Sequence, residues 1–263
     1  MIAKSSIASM VIAITLLVAI LVIVFFGLKK KFAMKIVPIF IGAFFFVLFA
    51  MVLEQKLHML VLKPTATGAI ALKAHYPWLY VLYGVLAAGV FEETARFAGF
   101  HLLKHQYPKF STSIAYGFGH GGIEMVLVGI LSLVNSLILS LMLQDPNGTL
   151  AQELPQSVIV NLQNTPVAHI YLTVIERFAA LVIQISLSIL VWFAVNKKEH
   201  IGFYPLAILI HAVIDTPSAM LQAKLLNNIF VVYVLLYLMA GLLIFAVYRL
   251  IKKEFSKNSE NFC

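Results

Sequence analysis

Residues 7–31 read IASMVIAITLLVAILVIVFFGLKKK, an uncharged apolar run to Phe26 followed by Lys29, Lys30 and Lys31. A helix rises about 1.5 Å per residue, so about 20 apolar residues cross the hydrocarbon core of a bilayer. The run has that length. It exceeds a typical signal-peptide core, no small-x-small cleavage site follows it, and it reads as a retained first span. The same test selects seven stretches in all, at roughly 5–28, 33–55, 77–103, 110–143, 168–195, 201–221 and 227–251. The fold expected is an all-α polytopic transmembrane helix bundle forming one domain over 1–263.

Composition supports this reading. Hydrophobic residues make up 62% of the chain and charged residues 11%, against about 25% charged in soluble domains. A soluble fold this apolar would expose large greasy patches. The net charge of +8 is carried by short clusters between apolar runs, such as Lys29-Lys30-Lys31 and Lys252-Lys253. That distribution sets membrane orientation and gives no reason to expect nucleic acid. With the N-terminus outside, Lys29, Lys30, Lys31, Lys35, Lys104, Lys109, Lys197, Lys198, Arg249, Lys252, Lys253 and Lys257 face the cytoplasm. Lys4, Lys56, Lys63, Lys73 and Lys224 face outward. The imbalance places the C-terminus in the cytoplasm. The lone cysteine, Cys263, allows no internal disulfide.

Local signals are few. Gly117, Gly119, Gly121 and Gly122 suggest a break or strong tilt in the fourth span. They also suit close helix packing. Residues 56–76 read as a surface loop or re-entrant piece, and Asp145-Pro146-Asn147-Gly148 as a turn.

Several ionisable residues fall inside the spans: Glu92, Glu93, Arg96, His120, Glu124, Glu176, Arg177, His211 and Asp215. Each costs about 2.5–3.5 kcal/mol at a helix centre on insertion scales, so the default reading is functional. From the cytoplasmic helix ends, the helical rise puts Glu92 roughly 18 Å deep, His120 roughly 16 Å and His211 roughly 14 Å. Three helices therefore carry polar groups at one depth. Glu92/Arg96, His120/Glu124 and His211/Asp215 are i, i+4 pairs, each on one helix face. Converging, they could bind zinc or a similar metal, or let a carboxylate activate water with no tightly held metal. The plainer reading is that Glu92/Arg96 and Glu176-Arg177 only neutralise one another and the histidines only pack. Matched depth and repeated spacing weaken it for the histidines. His101 and His105 read as interfacial.

Glu92-Glu93-Thr94-Ala95-Arg96 resembles the double-glutamate motif of the CAAX-protease/bacteriocin-processing superfamily. Gly119-His120-Gly121-Gly122-Ile123-Glu124 and His211-Ala212-Val213-Ile214-Asp215 resemble its second and third motifs. Glu-Glu-x-x-Arg with His-Gly-x-x-Glu is most similar to the YhfC-type branch of intramembrane metalloproteases. The resemblance covers roughly residues 77–220, in matching order. It implies an intramembrane endopeptidase of a bacterial plasma membrane, acting on a membrane-associated protein or peptide. Glu92 would activate water, with Glu93 supporting it or pairing with Arg96. His120, Glu124, His211 and Asp215 would be the metal ligands, with Zn2+ the metal implied, or His211 and Asp215 would stabilise the oxyanion. Two residues separate Glu93 from Arg96 where better-known members have three, and Asp215 stands where many have Asn, which points away from prenyl-protein substrates. Two other readings stay open. One is a proton-coupled transporter, which one candidate break and no repeat disfavour. The other is a non-enzymatic immunity or binding protein.

Overall fold

The computed structural model describes residues 2–65, 68–144 and 154–260. It is a bundle of helices: α1 (Lys4–Phe32), α2 (Ile36–Leu62), α3 (Ala71–His75), α4 (Pro77–Leu103), α5 (Ser111–Met142), α6 (Gln156–Asn164), α7 (Val167–Asn196), α8 (Phe203–Gln222) and α9 (Ile229–Glu260). Among the described residues there is no strand. Among the described residues, six segments, α1, α2, α5, α7, α9 and the Lys198–Gln222 stretch containing α8, are long and apolar enough to cross a membrane. The chain is thus a multi-pass helical membrane protein. The other expected span, α4, has the length at 27 residues, but Glu92, Glu93 and Arg96 dilute its apolarity. Pro77 starts it, where a missing N–H costs nothing.

Helix α7 is the axis. Of its most apolar window 72% is buried, against 11% for α1. Its apolar positions meet other helices rather than lipid, and Gln184, Ser186 and Ser188 are buried among them. The outer helices turn Ile23, Phe26, Phe40 and Leu242 outward. In a bilayer those faces need no protein partner.

The glycine run of α5 packs rather than breaks. A Cβ on Gly119 would intrude on the Ile39 carbonyl, and one on Gly42 would intrude on the Tyr116 carbonyl, so α2 and α5 meet backbone to backbone. Gly117 abuts Ile185 and Ser188 of α7, and Gly121 abuts Gln184. Small residues at membrane helix interfaces allow this approach. The break expected near these glycines is therefore absent, because packing on both sides supports the helix. The irregularity comes later, in a π-helical stretch at Met125–Ile130 directly after Glu124. A second such stretch, Val47–Glu54, lies in α2. Wide turns of this kind are frequent at functional sites.

The stretch 56–76, expected as a loop or re-entrant piece, is helical to Leu62 and again over Ala71–His75. The turn expected at Asp145–Gly148 lies outside the described residues. The start of α4 packs on the end of α8 through Val81, Val85, Ala212 and Ala223. At the other end of the bundle, Lys197 after α7 pairs with Glu254 of α9. Antiparallel packing thus gathers the Lys29–Lys31, Lys104 and Lys197–Lys198 clusters at one end.

Candidate functional site

Helix α4 supplies three charged side chains within one turn and a half. Neighbouring helix residues point about 100° apart, so Glu92 and Glu93 face different partners. Glu92 faces α5, where His120 Nε2 lies 3.0 Å from its Oε2. Glu93 faces α8, where His211 Nδ1 lies 2.7 Å from its Oε1. The other nitrogen of His211, Nε2, turns back toward Glu92 Oε1 at 3.9 Å and Asp215 Oδ2 at 3.4 Å. Glu92 thus sits between two imidazoles, each presenting Nε2.

Arg96, fully buried, holds this arrangement from below. Its guanidinium donates to Glu93 Oε1 at 2.5 Å and lies 3.6 Å from Glu92 Oε2. Its Nε donates to Ser188 Oγ at 3.2 Å, and Nη2 donates to the Gln184 carbonyl oxygen. The planar fork suits several acceptors held in fixed directions. Burying ions is expensive unless charges are paired and hydrogen-bonded, and Arg96 is paired with Glu93 and bonded through each of its three nitrogens.

Gln184 is the hub that sequence reasoning missed. Its amide nitrogen donates to Glu92 Oε2 at 3.0 Å and also to Glu124. Its carbonyl accepts from Arg96. One neutral side chain on the axial helix therefore ties two carboxylates and a guanidinium together. A glutamine inside Leu181-Val182-Ile183-Gln184-Ile185 was a usable signal, since amides in membrane helices usually bond across helices. Tyr116, also unassigned from sequence, donates to the Ala95 carbonyl at 2.8 Å and fixes the α4–α5 register.

The residues expected from sequence fall into two joined groups. Glu92, Glu93, Arg96, His120, His211 and Asp215 form the inner one. Glu124 stands beside it and reaches outward: Arg177 donates to Glu124 at 3.0 Å and to Glu176. Glu176-Arg177 is thus linked to the site through another helix. Asp215 is the most accessible of the set, its side chain 42% exposed. Two buried polar atoms, Glu93 Oε2 and His120 Nδ1, have no hydrogen-bond partner. Phe46 stands edge-on to the His120 ring at 4.9 Å, which walls off that side.

The expected metal ligands do not gather around one point. Glu124 is held by Gln184 and Arg177, while His120 Nε2 and His211 Nδ1 each engage a carboxylate. Among the described residues, no group of three or more His, Cys, Asp or Glu is placed to hold a metal ion. The donor types suit zinc, but the arrangement does not.

With this geometry in view, the chain matches the YhfC intramembrane metalloprotease family over residues 14–236. It is 31% identical, over 249 residues, to a Bacillus subtilis (strain 168) protein described as "Uncharacterized membrane protein YhfC". That match covers 92% of this chain and 93% of the relative. No solved structure matches.

Proposed function

Since the chain belongs to the YhfC intramembrane metalloprotease family, we propose that it is an intramembrane endopeptidase of a bacterial plasma membrane. In this reading it hydrolyses a peptide bond of a membrane-associated protein or peptide by a glutamate-activated water. The observation that carries the proposal is the position of Glu92, 3.0 Å from His120 Nε2 and 3.9 Å from His211 Nε2 at the centre of three helices.

Hydrolysis needs a proton acceptor for water, a donor to the developing oxyanion and a proton for the leaving amine. Glu92 takes the water proton while the oxygen adds to the scissile carbonyl carbon. The same carboxyl then returns the proton to the amine nitrogen as the C–N bond breaks. Glu92 Oε1 and His211 Nε2, 3.9 Å apart, are near enough for one water beside them to touch both. Glu93 accepts from Nδ1–H of His211, and the ring, protonated at both nitrogens, presents Nε2–H to the oxyanion that develops on the carbonyl. His120, Gln184 and Arg96 keep the Glu92 carboxylate in one orientation before substrate arrives. Groups fixed in advance in a low-dielectric site stabilise charge without reorganising.

The family's description implies a metal. Zinc is the metal that the resemblance implies, and His120 and His211 are the nitrogen donors it would need. As arranged these residues answer carboxylates, so the steps above involve protein groups and water alone.

Glu92→Gln keeps shape and most hydrogen bonding but removes the proton acceptor. Cleavage should fall by about 10²–10⁴-fold with helix content unchanged. A transporter reading has less support, because the sequence carries no internal repeat.

A further inference from the structure

A cavity of about 440 Å³ adjoins the site. Glu124, Glu176, Arg177 and Asp215 line it, and Glu124 shares the Gln184 amide with Glu92, so they form the end nearest the site, its floor. Its far rim is made by Leu62, Tyr80 and Gln222, which lie at or near the end of α2, the start of α4 and the end of α8. Those termini share the end of the bundle opposite the Lys29–Lys31 cluster. Within the lining, His58 Nδ1 and the Tyr83 hydroxyl pair at 2.9 Å and join α2 to α4. The cavity, here called a shaft, therefore links that end of the bundle to Asp215 on the accessible side of the site, with a lining that mixes polar and apolar side chains.

Its charge is lopsided. Three carboxylates (Glu124, Glu176 and Asp215) share the lining with one guanidinium. Arg177 engages both Glu124 and Glu176 but offsets only one negative charge, and Asp215, half-open to the cavity, meets His211 Nε2 at 3.4 Å on its inner side, so the carboxylates outnumber the cation in the lining. A cleft of one sign with low-dielectric walls concentrates ions of the opposite sign. Aromatic rings near the mouth suit cations too, and Lys73 Nζ already lies 5.9 Å from the centre of the Tyr80 ring.

We propose that this shaft admits the substrate from the outer membrane face, and that it takes a cationic peptide segment bearing a lysine or arginine side chain or a free amino terminus. The proposal rests on the peptidase reading for what happens at the floor. Entry through the shaft also explains how water reaches a carboxylate buried at mid-bilayer depth.

Thiol labelling tests this without requiring catalysis. Cys263 is the only cysteine, so Cys263→Ser gives a blank background. Ser218, on the shaft wall, is replaced by cysteine, and Gln222→Cys at the rim serves should Ser218→Cys fail to fold. Intact cells are treated with two membrane-impermeant methanethiosulfonates of similar size, one with a trimethylammonium group and one with a sulfonate. Rates are normalised to a free thiol in solution. The expected result is labelling from outside, with the cationic reagent faster by on the order of tenfold and the preference reduced by Glu176→Gln. Labelling only after the cells are opened would overturn the direction of entry. Equal rates would overturn the cationic preference. Either failure leaves the Glu92 chemistry standing with another entrance, whereas an inactive but correctly labelled shaft would mark a binding cleft. If labelling is as expected, comparing peptides with blocked and free amino termini separates terminal from side-chain recognition.

Discussion

Glu93 and His211, 118 residues apart, meet at 2.7 Å in the interior of the bundle. The contact joins α4 to α8 and fixes which ring nitrogen of His211 is left to face Glu92. Adjacent glutamates therefore divide the work in this account. Glu92 faces the reacting space, and Glu93 orients the histidine beside it.

Arg96 should carry a large share of the stability. Arg96→Ala leaves Glu93 and Glu92 buried without their shared cation, and breaking a buried pair costs about 3–5 kcal/mol. Arg96→Lys should recover little, because one ammonium cannot reach the acceptors that the planar fork serves. Thermal unfolding in detergent, followed by circular dichroism, should show both variants markedly less stable than wild type.

Gln184 should affect rate more than fold. Gln184→Leu removes the donor to Glu92, a hydrogen bond to a charged group worth about 1.5–3 kcal/mol. Cleavage should drop by roughly 10–100-fold, since about 1.4 kcal/mol is tenfold. Gln184→Glu should be worse than Gln184→Leu, because it adds a third carboxylate beside Glu92 and Glu124. Turnover measured at saturating peptide separates this from weaker binding.

Gly119→Ala should fail structurally. The added Cβ meets the Ile39 backbone carbonyl, which cannot swing away as a side chain would. Overpacking costs typically about 1–3 kcal/mol even in softer cores. Gly84→Ala, in open space on α4, is the matched control and should be tolerated. Yield of monodisperse protein after extraction distinguishes them.

Much of this was legible in the sequence because the bilayer makes charge conspicuous. Apolar runs such as 7–26 stand out by length alone. The i, i+4 pairs located the polar stripes of α4, α5 and α8, and those stripes do face one another. Gln184 was hidden because a neutral amide inside an apolar run raises no alarm by charge. The glycines around His120 suggested a broken helix, since spacing alone cannot distinguish a flexible glycine from one pressed against Ile39 or Gln184. Glu124 shares a helix face with His120, yet it divides between Gln184 on the inner side and Arg177 on the outer, and partners on other helices have no signature in local spacing.

Metal content separates two versions of the chemistry. The hydrogen-bonded arrangement of His120 and His211 predicts no stoichiometric transition metal in protein purified without chelator. Near one equivalent, lost in both His120→Ala and His211→Ala, would instead show that these donors regroup around an ion. Elemental mass spectrometry on wild type and both variants, each checked for retained helix content, reads this directly.

The central claim is that Glu92 cleaves peptide bonds within the membrane, and it can be tested before any substrate is known. Membranes from cells producing wild type or Glu92→Gln at equal levels are compared by mass spectrometric mapping of new protein termini. The account predicts a set of termini, in membrane-associated proteins or peptides, present with wild type and absent with Glu92→Gln. Identical termini in both, with each protein folded and inserted, would contradict it.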